Sequence, residues 1–370
     1  MKRLSRRTKK TMAQFLKPIY HTVYLMLGNS CNMNCRYCVQ HPLVHEPIAR
    51  EIDPEIYQFL EELSKNMPAG DKLPIEFYGG EPLLYFEAMK KIVEHTEGFC
   101  RFSIISNGKN ITDEQVNFIN RHHISYRVSW DGRNVLKTRM EDVLRDAKNK
   151  NKLLHIEDFG ISAVTSKYAT PRDIFDAFQP FASEYWMLHG RLPYVNTDEV
   201  MDVGAMPRDF LDADYGKIRN EVYGIVAEYL DGRRHLLSIE FRWAESMVEI
   251  AEDNEWSPRD EYAPCGNGYD TLNLDLQGNL YACHNLSSPI ADIHTPYFEY
   301  LGRIIATDST LKHKDACRKC SVFKYCGGGC KFVSEKAKKE SYCKLKKAVF
   351  EPVLQALEER QGVIDKTDSL

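Results

Sequence analysis

The sequence predicts an α/β protein, a partial (β/α)6 TIM-like barrel followed by a smaller C-terminal cysteine-rich domain. Three observations support this. Strand-like and helix-like segments alternate regularly from about residue 20 to 182. The strand-like runs are nearly continuously apolar, as parallel strands covered on both faces are. Seven of the eleven cysteines fall between Cys265 and Cys343, where long periodic runs cease.

The strands are expected at HTVYLML (21–27), LPIEFYG (73–79), RFSIISNG (101–108), SYRVSWDG (125–132) and FGISAVTS (159–166), with a sixth around YWMLHG (185–190). Between them, PEIYQFLEELSKNM (54–67), YFEAMKKIVEHTEG (85–98), TDEQVNFINRHH (112–123), TRMEDVLRDAKNKN (138–151) and TPRDIFDAFQPFAS (170–183) read as helices. Several of these open on Thr- or Asp-type caps. Residues 207–231 and 236–252 read as two further helices, and a last one starts after Cys343. The resulting division is a basic arm (1–20), a core (21–255), a cysteine-rich module (256–347) and a C-terminal helix with tail (348–370).

A chain of 370 residues, 43% hydrophobic and 28% charged, has ample material for both units. The net charge of -4 gives no reason to expect nucleic acid or an anionic membrane as partner. No window approaches the roughly 18 continuous apolar residues of a membrane helix. The basic start lacks the apolar stretch of a secretory signal, so a reducing cytoplasmic setting is expected. Disulfides therefore fit poorly, and metal or cluster ligation is the better account of the cysteines.

The first cysteine group is CNMNCRYC, with Cys31, Cys35 and Cys38 spaced C-x3-C-x2-C directly after the first strand. Four thiolates close a zinc or [4Fe-4S] site, whereas three leave one metal position open for chemistry. Zinc knuckles, built on C-x2-C pairs, match this spacing less well. The residues that end the strands, Gly79, Ser106-Asn107-Gly108 and Asp131-Gly132, lie at the edge where α/β barrels build active sites.

The loop, with Tyr37 before its third cysteine, resembles the signature of the radical S-adenosylmethionine superfamily. The second strand's end, EFYGGEP, resembles that superfamily's GGEP element at Gly79, Gly80, Glu81 and Pro82. The resemblance implies a [4Fe-4S] cluster whose open iron is chelated by S-adenosylmethionine, with Glu81 accepting from the cofactor's ammonium. It also implies cofactor contacts from Ser106 and Asn107 in the SNG turn, and from Ser129 and Asp131 in VSWDG. Arg139 would pair the methionine carboxylate, a surface arginine being the other reading.

The C-terminal cysteines, Cys265, Cys283, Cys317, Cys320, Cys326, Cys330 and Cys343, resemble the pattern of SPASM domains, which carry auxiliary iron–sulfur clusters. By that resemblance Cys317, Cys320, Cys326 and Cys343 close an outer [4Fe-4S] cluster. Cys265, Cys283 and Cys330 hold an inner one, for three clusters in all. Relatives with a fully ligated inner cluster have a further cysteine where this chain has Thr271, so the inner cluster is expected to keep an open iron. His284, directly after Cys283, reads equally as a proton acceptor or as a hydrogen-bond partner of a cluster sulfur. Cys100 reads as a buried small hydrophobe.

The implied activity is oxidative modification of a peptide or protein side chain by cross-link, thioether or dehydrogenation, with a flavodoxin or ferredoxin as low-potential electron donor. The first strand begins near residue 21, so no N-terminal leader-binding domain is expected and a separate leader-binding protein is a candidate partner. Two other readings stay open: dehydrogenation of a small molecule such as an amino sugar, and a zinc-stabilised scaffold or nucleic-acid binder. Residues 185–200 are candidates for a substrate wall.

Overall fold

The computed structural model describes residues 18–40, 51–202, 207–233, 235–252, 267–286, 288–307, 317, 319–330 and 332–367. Most of the basic arm, the expected domain boundary near 255–265 and Cys265 lie outside the described residues.

Six strands, β1 (Thr22–Gly28), β2 (Leu73–Gly79), β3 (Cys100–Ser106), β4 (Ser125–Ser129), β5 (Phe159–Thr165) and β6 (Tyr194–Glu199), lie in sequence order and pair in parallel. Their neighbours in sequence are their neighbours in space because helices α1 (Glu55–Ser64), α2 (Phe86–Thr96), α3 (Asp113–Arg121), α4 (Ala147–Leu154) and α5 (Pro171–His189) carry the chain back between them. On the far side of β1 the sheet continues with β7 (Thr271–Asp275), again parallel, then antiparallel β8 (Asn279–Leu280) and β9 (Ala291–Asp292). Among the described residues, these nine strands form an open sheet with β6 and β9 at its edges.

Apolar periodicity and capping explain the helices. Thr112 and Gln115 form a reciprocal capping box at the start of α3. Thr170 caps α5, Pro171 occupies its first turn, and Gly190 ends it in the left-handed conformation at φ 67°.

Three expectations are corrected. YWMLHG is the last turn of α5 rather than a sixth strand. Buried Phe175, Phe178, Phe181, Ala182 and Tyr185 keep a helical period through it, while Trp186, Met187 and Leu188 are exposed. The sixth strand is the polar YVNTDE of β6, which has too few apolar residues to be read as a strand. No helix spans 138–151: the chain turns Arg139 inward, Met140 sits at φ 67°, and α4 starts only after Asp146, which caps Asn149 N–H. The segment 207–231 is split into a 3-10 turn (Arg208–Leu211) and α6 (Tyr215–Leu230), which is capped by Asp214.

Helix α7 (Ile239–Glu252) follows, then α8 (Tyr297–Ala306) and the long α9 (Cys343–Thr367). Helix α9 packs along α6, where Arg219 pairs with Glu351 at 2.6 Å. Among the described residues, no helix is long and apolar enough to cross a membrane.

Phe178 is fully buried and Met187 is 72% exposed on the same helix. Phe178→Ala is expected to cost about 3–5 kcal/mol in urea unfolding. Met187→Ala should stay within about 0.5 kcal/mol, and equal losses would contradict the helical assignment of YWMLHG.

Candidate active site

The loop from Cys31 to Cys38 is pinned at both ends by backbone contacts. Gly80 N–H donates to Gly28 O and Glu81 N–H to Ser30 O, both at 2.9 Å, while Arg36 N–H donates to Thr138 O at 2.8 Å. The ends of β1 and β2 meet so closely that a Cβ on Gly79 would fall 2.2 Å from Gly28 O, and one on Gly80 2.3 Å from Ser30 O. The GG pair is therefore required by strand-end packing under the loop.

Behind the loop sits a buried polar knot. Asp131 has no solvent exposure; it pairs with Arg139 (Nη2 to Oδ1 3.1 Å, Nε to Oδ2 3.0 Å). It also accepts from Tyr37 Oη at 2.7 Å and from Val164 N–H at 3.0 Å. Burial works against the Arg139 charge, yet Asp131 beside it holds the guanidinium's pKa above its ordinary value. Burial pushes the Tyr37 hydroxyl well above its usual range and the Cys35 thiol up to about 11, with Arg139 pulling the thiol back.

Glu81 and Pro82 are buried and lie behind the cavity wall. The Glu81 carboxylate accepts from Ser106 Oγ at 2.7 Å, Asn107 N–H at 2.7 Å and Leu83 N–H at 3.0 Å. The side chain expected to receive an ammonium thus clamps the third-strand turn to the second. Burial raises its pKa and these three donors oppose the rise.

A cavity of about 420 Å³ opens at the strand ends, walled by Cys31, Cys35 and Cys38 on one side. Tyr37, Gly79, Gly80, Ser106, Asn107, Ser129 and Arg139 also reach it. Asn107 Nδ2 lies 3.7 Å from the Cys31 sulfur, and Met33 N–H donates to that sulfur at 3.4 Å. Three thiols on one wall, N–H donors on one sulfur and a guanidinium near another fit an anionic thiolate cluster with one open iron.

On the other side the wall includes His284, Asn285, Tyr342 and Lys346. The His284 ring lies tilted against Tyr24 (centroids 4.1 Å, 36° between the planes) and meets Tyr78 edge-on (4.5 Å), with Nδ1 3.3 Å from Asn273 Oδ1. Facing the cavity rather than bulk water, it has its pKa pushed down to about 4 by burial, so it is neutral near pH 7 and a weak proton acceptor. Gln40 Nε2 donates to His284 O at 3.3 Å, joining the end of the first cysteine group to the strand end that bears Cys283.

In the C-terminal module, Cys343 lies within electrostatic reach of Cys317, Cys320 and Cys326. Gly327, Gly328 and Gly329, between Cys326 and Cys330, all have φ between 55° and 86°, a loop open to few other residues. Thr271 begins β7 opposite Thr22, its Oγ1 donating to Asp270 Oδ1 at 3.2 Å. Cys100 is buried at the start of β3.

Several wall residues escaped sequence reasoning. Tyr24 and Tyr78 follow the two-residue alternation of β1 and β2, a signal present in the sequence. Glu199, which ends β6, forms a buried ion pair with Lys346 of α9, and both face the cavity. No local pattern links them. Within 185–200 it is Asp198, Glu199 and Val200 that reach the wall, not Trp186 or Arg191.

Residues 22–151 match the family model described as a 4Fe-4S single cluster domain. The radical SAM cyclopropyl synthase TigE of Paramaledivibacter caminithermalis is 22% identical over 350 residues, covering 85% of this chain and 68% of that protein. An uncharacterized protein of Methanocaldococcus jannaschii is 28% identical over 130 residues, 34% of this chain and 42% of that protein. The fold is similar to that of native anSMEcpe with bound AdoMet and Cp18Cys peptide (TM-score 0.65, 18% identity, 92% and 99% of the two chains). It is also similar to that of Streptococcus suis SuiB bound to its precursor peptide SuiA (TM-score 0.60, 16% identity, 88% and 75%).

Asp131→Asn is expected to leave a buried guanidinium without its counter-charge, costing about 3–5 kcal/mol in urea unfolding. A loss below about 1 kcal/mol would show that the knot does not hold the loop.

The chain thus matches a 4Fe-4S single cluster domain over residues 22–151, is similar in sequence to a radical SAM enzyme, and shares its fold with anSMEcpe and SuiB.

Proposed function

We propose that this chain is an oxidoreductase that binds a [4Fe-4S] cluster at Cys31, Cys35 and Cys38 together with S-adenosylmethionine, and oxidatively modifies a peptide or protein side chain. One observation carries the reading: a single cavity has the three loop thiols on one wall and, on another, His284 beside Cys283 and Lys346 of the C-terminal helix. The cluster and S-adenosylmethionine supply, when bound, an electron and a 5'-deoxyadenosyl radical that removes a hydrogen atom from the substrate.

The chain's own residues bind, orient and exclude water. Arg139 and Tyr37, locked on Asp131, hold the cysteine loop in one conformation. Glu81 fixes the turn that presents Ser106 and Asn107, and Ser129 adds a hydroxyl beside them as a cofactor contact. Tyr24, Tyr78 and His284 form an aromatic wall that limits water around a reactive intermediate.

The cysteine spacing supports two further clusters, an outer one on Cys317, Cys320, Cys326 and Cys343 and an inner one on Cys265, Cys283 and Cys330, with Thr271 leaving an iron open. A peptide partner is supported by the two solved relatives described with bound peptides. A flavodoxin or ferredoxin is the electron donor this chemistry needs, and a separate leader-binding protein is the candidate means of delivering the peptide.

After anaerobic reconstitution, about twelve irons per chain are expected from three cubane clusters. Reduction with dithionite in the presence of S-adenosylmethionine should release 5'-deoxyadenosine, and Cys35→Ala should reduce that release to background. About four irons would remove the auxiliary clusters from this reading, and release unaffected by Cys35→Ala would overturn it.

A further inference from the structure

The cysteine loop has an outer side as well as a cavity side. Arg36, between Cys35 and Cys38, is exposed. Its backbone N–H donates to Thr138 O at 2.8 Å, and its guanidinium donates to Lys137 O at 3.2 Å and to Asp209 at 3.1 Å. The segment that follows β4 is therefore laid directly against the loop.

That segment presents two large apolar side chains to solvent. Val135 and Thr138 are buried, whereas Leu136 and Met140, four residues apart, are 50% and 53% exposed. Met140 stands at φ 67°, a backbone conformation uncommon outside glycine. The turn that sends Arg139 inward to Asp131 leaves the next residue outside. Single exposed apolar residues need no explanation, but here two share one short segment and cations surround them.

Lys137 and Arg36 lie 5.8 Å and 5.9 Å from the same Tyr168 ring, and Arg133, four residues before Lys137, is also exposed. Asp209 answers Arg36, and Glu141 answers Lys109 nearby. Among the described residues, no carboxylate pairs with Arg133 or Lys137. On a chain of net charge -4 the loop's outer side thus carries a local excess of positive charge.

We propose that this face, Leu136 and Met140 rimmed by Arg36, Arg133 and Lys137, is where a small acidic electron carrier of the flavodoxin type docks to reduce the cluster on Cys31, Cys35 and Cys38. The proposal rests on the reading that this loop holds a reducible cluster. One electron leaves the carrier's flavin hydroquinone, which becomes the semiquinone, and the cluster is reduced by that electron. Charge complementarity selects the partner: an acidic surface is attracted, whereas a second copy of this chain in a two-fold contact would set these cations against themselves. A small apolar centre with a charged rim suits a brief encounter, the size class of electron-transfer complexes. Docking on the outer side also leaves the cavity free for S-adenosylmethionine and substrate.

The test measures binding of dye-labelled oxidised flavodoxin to the anaerobically reconstituted full chain by fluorescence anisotropy. Replacing Arg133 and Lys137 together by Glu should raise the Kd at least about tenfold, and Leu136→Ser, which alters no charge, should raise it severalfold. Raising the salt from about 0.05 M to about 0.5 M should weaken the wild-type complex. Arg121→Glu, exposed where α3 ends at the opposite edge of the sheet, should leave the Kd unchanged. Release of 5'-deoxyadenosine driven by dithionite, which needs no docking, should be the same in every variant, while release driven by limiting flavodoxin hydroquinone should fall with binding. A wild-type chain that binds no flavodoxin, a Kd unmoved by Arg133→Glu with Lys137→Glu and by Leu136→Ser, or an equal rise from Arg121→Glu would overturn the docking proposal alone. Absence of 5'-deoxyadenosine from the wild-type chain with dithionite would overturn the cluster reading and this proposal with it.

Discussion

The site depends first on one buried ion pair. Asp131 follows β4 and receives Arg139 from the following segment, Tyr37 from the cysteine loop and Val164 N–H from β5. A buried pair of charges contributes little net stability against apolar replacements, because desolvation cancels most of the attraction. What it adds here is geometry. Three segments distant in sequence must converge on one carboxylate, or a charge is left buried without a partner. The loop that carries Cys31, Cys35 and Cys38 has few apolar side chains of its own, so an anchor of this kind must hold it. The lost helix over 138–151 is the local consequence, since Arg139 reaches Asp131 only if the chain leaves helical geometry there.

The glycines and Glu81 work in the same direction. The ends of β1 and β2 approach within a distance that excludes any side chain at Gly79 or Gly80, which brings the loop down onto the sheet. Glu81 then ties the third strand's turn to the second through three donors. A motif that reads as a ligand-binding element is in this fold also the mortar between strand ends. Its residues shape the cavity whether or not their own atoms reach it.

The cysteine-rich module is built into the same sheet. Strand β7 extends it beside β1, and the hydrogen bond from Gln40 to His284 ties the end of the first cysteine group to the residue that follows Cys283. Helix α9 closes the arrangement, lying along α6 and inserting Lys346 against Glu199 at the open edge strand. Among the described residues, β6 pairs on one side only, with β5. The buried charge pair at its end joins that edge to the helix that begins at Cys343.

The sequence by itself determined the α/β class, five of the six parallel core strands, the cysteine groups and the strand-end turns. Each rests on short-range signals: apolar runs, caps, and spacings within a few residues. It could not reveal the polar edge strand β6, because YVNTDE gains its strand partners only from β5. Nor could it reveal the roles of Glu81 and Arg139, the Glu199–Lys346 pair or the addition of β7 to the sheet. Those depend on which buried donors and acceptors meet across tens to hundreds of residues. Every buried charge must find its partner, and only the folded chain decides which one is within reach.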